Sequence, residues 1–414
     1  MSTLLEPAWR WPLVCVALTV VLLVRQRGRG VLGLMAVIFL VQALGPVLSH
    51  LRGQEIYIGI VLDRVHMATQ GFALAIGGLL LAELVVRQRP VVASLVDPVD
   101  PRRWVTPVCL LLVMLSGYAA LGIVRIGPAS LSQDKASRIA AAGGGHYVFL
   151  VIALVAAATW PLIRPSAPAR RLYLLFLTLY VVYCVASQER DFVFVLVALA
   201  FLGRLTQTGT RISRLLATGL AAAFAVSALA AGRSAEPGEH TNALFQGSLL
   251  FVDTRVLEYV PTSTPYGHGQ TYLAALVSAL TRGRVGGEVS PTQWLVDSYA
   301  PAGTSGYGFS LSGEALLNFG LVGVLPVFFL IGVGVNVVVN RLDRSPLAAH
   351  LGYFLTIFVP YMFRSDSRGL MSGIVLCLVL HGGLAFLARP SRPDGEVLPG
   401  ATPGEHRGTS ASLP

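Results

Sequence analysis

Apolar runs long enough, or nearly long enough, to cross a bilayer recur along the chain, separated by short polar connections. The pattern predicts helical spans at Ala8–Val24, Gly30–Ser49, Ala68–Val86, Trp104–Val124, His146–Ile163, Leu172–Ala186, Phe192–Leu205, Leu215–Ala231, Glu314–Val339, Leu347–Met362 and Gly369–Ala388. That makes eleven, with ten or twelve left open because the first, sixth and seventh are short. The break in this rhythm is a polar stretch of about eighty residues before Glu314, Gly232–Gly313. Within it, Leu244, Phe245, Leu249, Val252 and Val256 repeat at near-helical spacing, as do Tyr272, Leu273, Leu276 and Leu280. Both patterns are too short to span and predict helices lying on or partly in the membrane surface, with the turn-rich Pro261–Gly269 between them. The tail 389–414, rich in Pro, Gly and Ser, reads as disordered.

Composition sharpens this into a fold class. Of 414 residues 54% are hydrophobic and 13% charged, half the charged share of a soluble domain. The expectation is an all-α polytopic membrane protein, one integral-membrane domain over 1–388. The N-terminus lacks a basic start and a small-residue cleavage site, so Met1–Val24 is expected to stay as an anchor. Cys15, Cys109, Cys184 and Cys377 all fall in apolar runs and read as packing residues.

Charge then orients the spans. Eighteen of the 31 Lys and Arg residues lie in alternate, mostly short connections, among them Arg25, Arg87, Arg170, Arg214 and Arg341. Basic connections stay on the cytoplasmic side, which puts the N-terminus outside, the C-terminus inside and the long Gly232–Gly313 loop outside. The net charge of +10 follows from those arginines and does not call for nucleic acid.

Candidate chemistry gathers on the outer side. Glu314 opens a long apolar helix and Asn318 follows one turn later on the same face. Glu314 can serve as a general base for a sugar hydroxyl, or complement the helix dipole. His268, in Tyr266-Gly-His-Gly269, is a second acid/base candidate or an ordinary turn histidine. Arginine grips phosphate through a fork of donors. The outer arginines are Arg125, Arg138, Arg190, Arg233, Arg255, Arg282, Arg284, Arg364 and Arg368. Arg190 sits in the short turn Ser187–Asp191, and Arg364 and Arg368 flank Asp366, either as anion ligands or as its salt-bridge partners. Snorkelling is the alternative for each of them. No metal-ligand cluster, nucleophile elbow, P-loop or dinucleotide fingerprint occurs. Apart from Glu83, near the cytoplasmic end of its span, acids, lysines and arginines are missing from the span middles, which disfavours a proton-coupled transporter.

Gly313-Glu-Ala-Leu-Leu-Asn-Phe-Gly320, after a large outer loop, resembles the signature region of Wzy-type O-antigen polymerases of the O-antigen ligase/polymerase superfamily. The Ser187-Gln-Glu-Arg-Asp191 turn and Tyr266-Gly-His-Gly-Gln-Thr-Tyr272 resemble two further stretches of that family, the first departing from its usual Gly-Ser-Arg form. The resemblance implies a metal- and cofactor-independent, GT-C-like enzyme at the outer face of the plasma membrane. It would join undecaprenyl-diphosphate-linked oligosaccharide units, with a chain-length regulator and a flippase as conceivable partners. In that scheme Glu314, His268 and Arg190 are catalytic, while Arg190, Arg233, Arg255, Arg364, Arg368, Asn318 and Asp366 bind diphosphate or sugar. The rivals are an O-antigen ligase-like transferase, a lipid-linked oligosaccharide flippase, and a non-catalytic subunit of an envelope complex.

Overall fold

The computed structural model describes residues 7–28, 30–51, 62–89, 101–128, 135–163, 166–189, 195, 249–281, 290–299, 309–342, 344–362 and 365–389. Every regular element among them is a helix: α1 Pro7–Arg25, α2 Val31–Leu51, α3 Leu62–Val85, α4 Pro101–Ile126, α5 Lys135–Ala142, α6 His146–Ala157, α7 Trp160–Ile163 and α8 Ala167–Ala186. After the undescribed stretch come α9 Leu249–Tyr259, α10 Gln270–Thr281, α11 Pro291–Tyr299, α12 Leu311–Val339, α13 Pro346–Met362 and α14 Ser367–Leu387. Five described helices, α3, α4, α8, α12 and α14, are long and apolar enough to cross a membrane. Among the described residues the protein is thus all-helical, with the apolar helices of a multi-pass membrane protein. The expected spans Phe192–Leu205, apart from Val195, and Leu215–Ala231 lie outside the described residues, with nearly all of the tail and Arg190, Arg233, Arg282, Arg284 and Arg364.

The expected single span His146–Ile163 is two helices. Pro161 has no N–H to continue the ladder, and the Ala157 carbonyl accepts the Tyr173 hydroxyl instead, at 2.6 Å. α1 ends in a Schellman turn, with Gly28 N–H donating to Leu23 O at 2.7 Å and Arg27 in the left-handed region.

α3 and α12 run parallel as the central pair. A Cβ added to Gly78 would lie 2.9 Å from Phe329 N, and one on Gly332 would lie 2.7 Å from the Ala82 methyl. Small residues let the two backbones approach, the usual way helices associate in lipid. α9 packs into the bundle against α3 and α12 rather than lying on a membrane surface: Leu250, Val252, Asp253 and Val256 are fully buried. α10 packs along α14 and leaves Leu273, Leu276 and Leu280 exposed.

Two polar poles result. At one, Glu83 near the end of α3 accepts from Gln26 (2.8 Å) and from Asn336 near the end of α12 (2.9 Å). There too, Trp104 near the start of α4 lies 4.9 Å, ring to ring, from His381 near the end of α14. His350, early in α13, contacts His381 at 3.4 Å and Val155 O near the end of α6 at 3.1 Å. The opposite pole therefore collects the starts of α3, α6, α12 and α14 and the ends of α4 and α8. The four cysteines are unpaired and pack in the apolar interior.

Candidate functional site

The site begins with a broken helix. At Gly320, φ is 66° and ψ is −166°, a region only glycine enters readily. The break divides α12 into a short segment, Leu311–Phe319, and a long one, Leu321–Val339, of roughly 28 Å at 1.5 Å per residue. The long segment matches the hydrocarbon thickness of a bilayer. A break there deprives the carbonyls just before it of their intrahelical donors. The turn before α10 supplies replacements: Gly267 N–H donates to Leu317 O and His268 N–H to Asn318 O, both at 3.1 Å. Non-helical backbone at membrane depth survives when neighbouring protein satisfies it in this way.

Side chains lock the same junction. Asn318 Oδ1 accepts from Gly269 N–H at 2.8 Å, and its Nδ2 donates to Thr271 Oγ1 at 2.7 Å and to Glu314 O at 2.8 Å. The Thr271 hydroxyl donates in turn to Glu314 Oε1 at 2.6 Å. Glu314 then crosses to α14, accepting from Ser367 N–H at 2.6 Å and from the Ser367 hydroxyl at 2.7 Å. Ser367 is the first residue of α14, so a carboxylate from α12 satisfies one of the orphan donors at that helix start. Tyr272 stacks on Phe319, centroids 6.2 Å apart and rings 10° from parallel.

Two more carboxylates complete the pole. Asp366 caps α14 through Gly369 N–H at 3.3 Å and accepts from Thr292 of α11 at 3.2 Å. Asp253 of α9 accepts from the Ser310 hydroxyl at 2.9 Å, while that same oxygen caps Gly313 N–H at 2.8 Å. Burial pushes the Asp253 carboxyl up to about 7, against the opposing pull of the Ser312 and Ser310 hydroxyls. Burial, together with the nearby Glu314 charge, raises the Tyr272 phenol well above its ordinary value.

The residues expected to carry chemistry divide accordingly. Glu314 and Asn318 are 0% exposed, and both oxygens of Glu314 are engaged. This geometry makes Glu314 a clasp between α12, α10 and α14. His268 is exposed, with a left-handed φ of 46°, and is held beside Asn318 through its own backbone. Asp366 is buried, and Arg368 is half-buried in the first turn of α14. Arg255 is buried, paired with Glu258 and lying over the Phe251 ring at 5.5 Å. Arg138, also buried, donates to Ala186 O at the end of α8 at 3.1 Å.

Thr271, Ser367 and Thr292 were not expected as partners. Asp366-Ser367 before an apolar run is a helix-start signal, but nothing in the sequence pairs it with Glu314. A second buried chain at the same pole also went unforeseen. The Ser187–Glu189 turn closes α8 in a Schellman motif with Gln188 at φ 58°. It thereby places Glu189 Oε1 3.2 Å from His146 Nε2, whose Nδ1 lies 2.7 Å from the Tyr183 hydroxyl.

No protein-family model matches the chain, and no curated protein or solved structure is significantly similar to it. Among the described residues no group of His, Cys, Asp and Glu side chains is arranged to hold a metal.

Proposed function

We propose that the chain is a lipid-to-glycan glycosyltransferase of the outer membrane face, one that polymerises undecaprenyl-diphosphate-linked oligosaccharide units into a surface polysaccharide. One observation carries the reading. Gly313–Gly320 and Tyr266–Tyr272, the two stretches of the long loop and its following helix that resemble polymerase motifs, form a single hydrogen-bonded unit through Asn318, Thr271 and Glu314. The bonds that seat the helix break thus bring the residues of both stretches, Glu314, Asn318 and the His268 turn, to one place.

In this reading the clustered pole faces outward, which agrees with the arginine-rich connections on the other side. Glu314 is a positioning residue that joins the helix starts. His268, exposed on the turn held by Asn318, takes the proton from the acceptor hydroxyl. Arg368 of the same face stabilises the charge developing on the departing diphosphate, a role the motif resemblance extends to Arg190 and Arg364, which lie outside the described residues. The new glycosidic bond forms as the anomeric carbon–phosphate oxygen bond breaks, and undecaprenyl diphosphate leaves with its electron pair.

The test is the glycan profile of a strain lacking the protein, complemented with wild type or with His268→Ala. Single repeat units on the final acceptor support a polymerase. Full-length chains left on the carrier lipid would instead mean a ligase, and units confined to the cytoplasmic leaflet a flippase.

A further inference from the structure

Beside the break at Gly320 lies a cavity of about 260 Å³ between α3, α9 and α12, bordered by Tyr266, Leu316 and Phe319 of the two stretches that meet at Asn318. Its walls are apolar, formed by Val256, Leu257, Val260 and Leu321 among others. One cation faces it: Arg64, in the first turn of α3, whose contact among the described residues is the Met67 sulfur at 3.5 Å rather than an acid. Tyr266 adds a hydroxyl-bearing side chain, and Thr262 a hydroxyl at the exposed rim. Beside the opening, Val322 is 85% and Phe319 41% exposed, which continues the apolar surface outward.

A guanidinium at a helix start with an apolar slot below it has the layout of an anionic amphiphile. The number of charges narrows the choice. A single guanidinium balances a phosphodiester with one negative charge, whereas a diphosphate carries more charge than this cavity offsets. The volume is at the small end for ligand pockets, enough for a head group and the start of its chains but not for a diphosphate-linked oligosaccharide. We propose that this cavity binds the head group of an anionic glycerophospholipid, with Arg64 on the phosphate and the acyl chains leaving along Val322. Bound there, the lipid fills the gap beside the helix break and fastens α9 to α3. The site stands independently of the enzymatic reading above.

The experiment compares the purified protein in nanodiscs of phosphatidylcholine with and without phosphatidylglycerol, reading thermal unfolding and the lipid retained on detergent extraction by mass spectrometry. Phosphatidylglycerol is expected to raise the unfolding temperature of wild type and to co-purify with it. Arg64→Gln should weaken that retention about fivefold, the scale of one basic residue at an anionic surface. Thr262→Trp, which blocks the rim but keeps the guanidinium, should weaken it as well. Retention unchanged in Arg64→Gln would overturn the proposal. So would loss in Arg64→Gln but not in Thr262→Trp, which would mark ordinary snorkelling into bulk head groups. Equal stabilisation by inorganic phosphate, or displacement of the phospholipid by undecaprenyl diphosphate, would overturn it in favour of a free-anion or carrier-lipid site.

Discussion

Glu314 and Ser367, from two different helices, meet through two hydrogen bonds: backbone N–H to Oε2 at 2.6 Å and hydroxyl to Oε1 at 2.7 Å. One carboxylate thereby ties the start of α14 to α12, and through Thr271 to α10. Removing it orphans three buried donors on two elements at once, the Thr271 hydroxyl of α10 and the Ser367 N–H and hydroxyl of α14. Glu314→Ala should lower stability by about 3 kcal/mol or more, since each orphaned group costs about 1–3 kcal/mol. Glu314→Gln keeps one acceptor and should lose roughly 1–2 kcal/mol. Thermal unfolding in detergent measures both. If Glu314 positions rather than reacts, Glu314→Gln retains part of the long-chain glycan, while His268→Ala loses it at unchanged melting temperature.

The break in α12 depends on glycine. Gly320→Ala forces a side chain into the ε region, and its Cβ would lie 2.9 Å from the Tyr266 hydroxyl. The expected cost is about 1–3 kcal/mol, with the Gly267 and His268 bonds to α12 weakened alongside. Gly334→Ala in the same helix meets nothing within 4 Å and should change stability by less than about 1 kcal/mol. Paired melting curves decide whether the break is required or incidental.

The α3–α12 crossing is a second glycine-dependent contact, for a different reason. At Gly78 an added side chain runs into the α12 backbone around Leu325 and Phe329, which cannot shift as a flexible side chain would. Gly78→Leu should cost about 3 kcal/mol, the upper range for overpacking, and part the two helices. Gly77→Leu, at a neighbouring position where an added Cβ meets nothing within 4 Å, should leave the melting temperature nearly unchanged, and paired melting curves separate the two outcomes.

Asp253 gives a pH dependence with a definite sign. Its carboxyl titrates near 7 in the folded protein against 3.8 ordinarily, so the folded state holds the proton more tightly than the unfolded chain. This group's contribution is most favourable below the ordinary carboxylate range and is lost as pH rises toward 7. Melting temperature should therefore fall across that window, and Asp253→Asn should flatten the fall. A slope identical in wild type and variant would show that Asp253 does not carry it.

Much of the architecture was legible locally. The helices α1 to α4 and α12 to α14 sit where apolar runs occur, and Leu249–Tyr259 and Gln270–Thr281 coincide with the two short patterns of the long loop. Span existence is legible because transfer into lipid depends on the summed apolarity of about twenty adjacent residues. Gly320 was visible as a small residue, but not as the point where the helix breaks. That outcome depends on a turn some fifty positions earlier presenting two N–H groups to the released carbonyls.

The sequence by itself determined a helical membrane protein, the approximate place of its spans, and the segments in which polar residues accumulate. Hydrophobic partition and turn propensity act on neighbours in the chain, so they can be read there. Only the tertiary structure decided that α9 is buried in the bundle, that Glu314 is a clasp with no exposed surface, and that Glu189 faces His146. A buried polar group takes whichever partner packing brings within about 3 Å. For Glu314 those partners lie 43 and 53 residues away, beyond anything local spacing can encode.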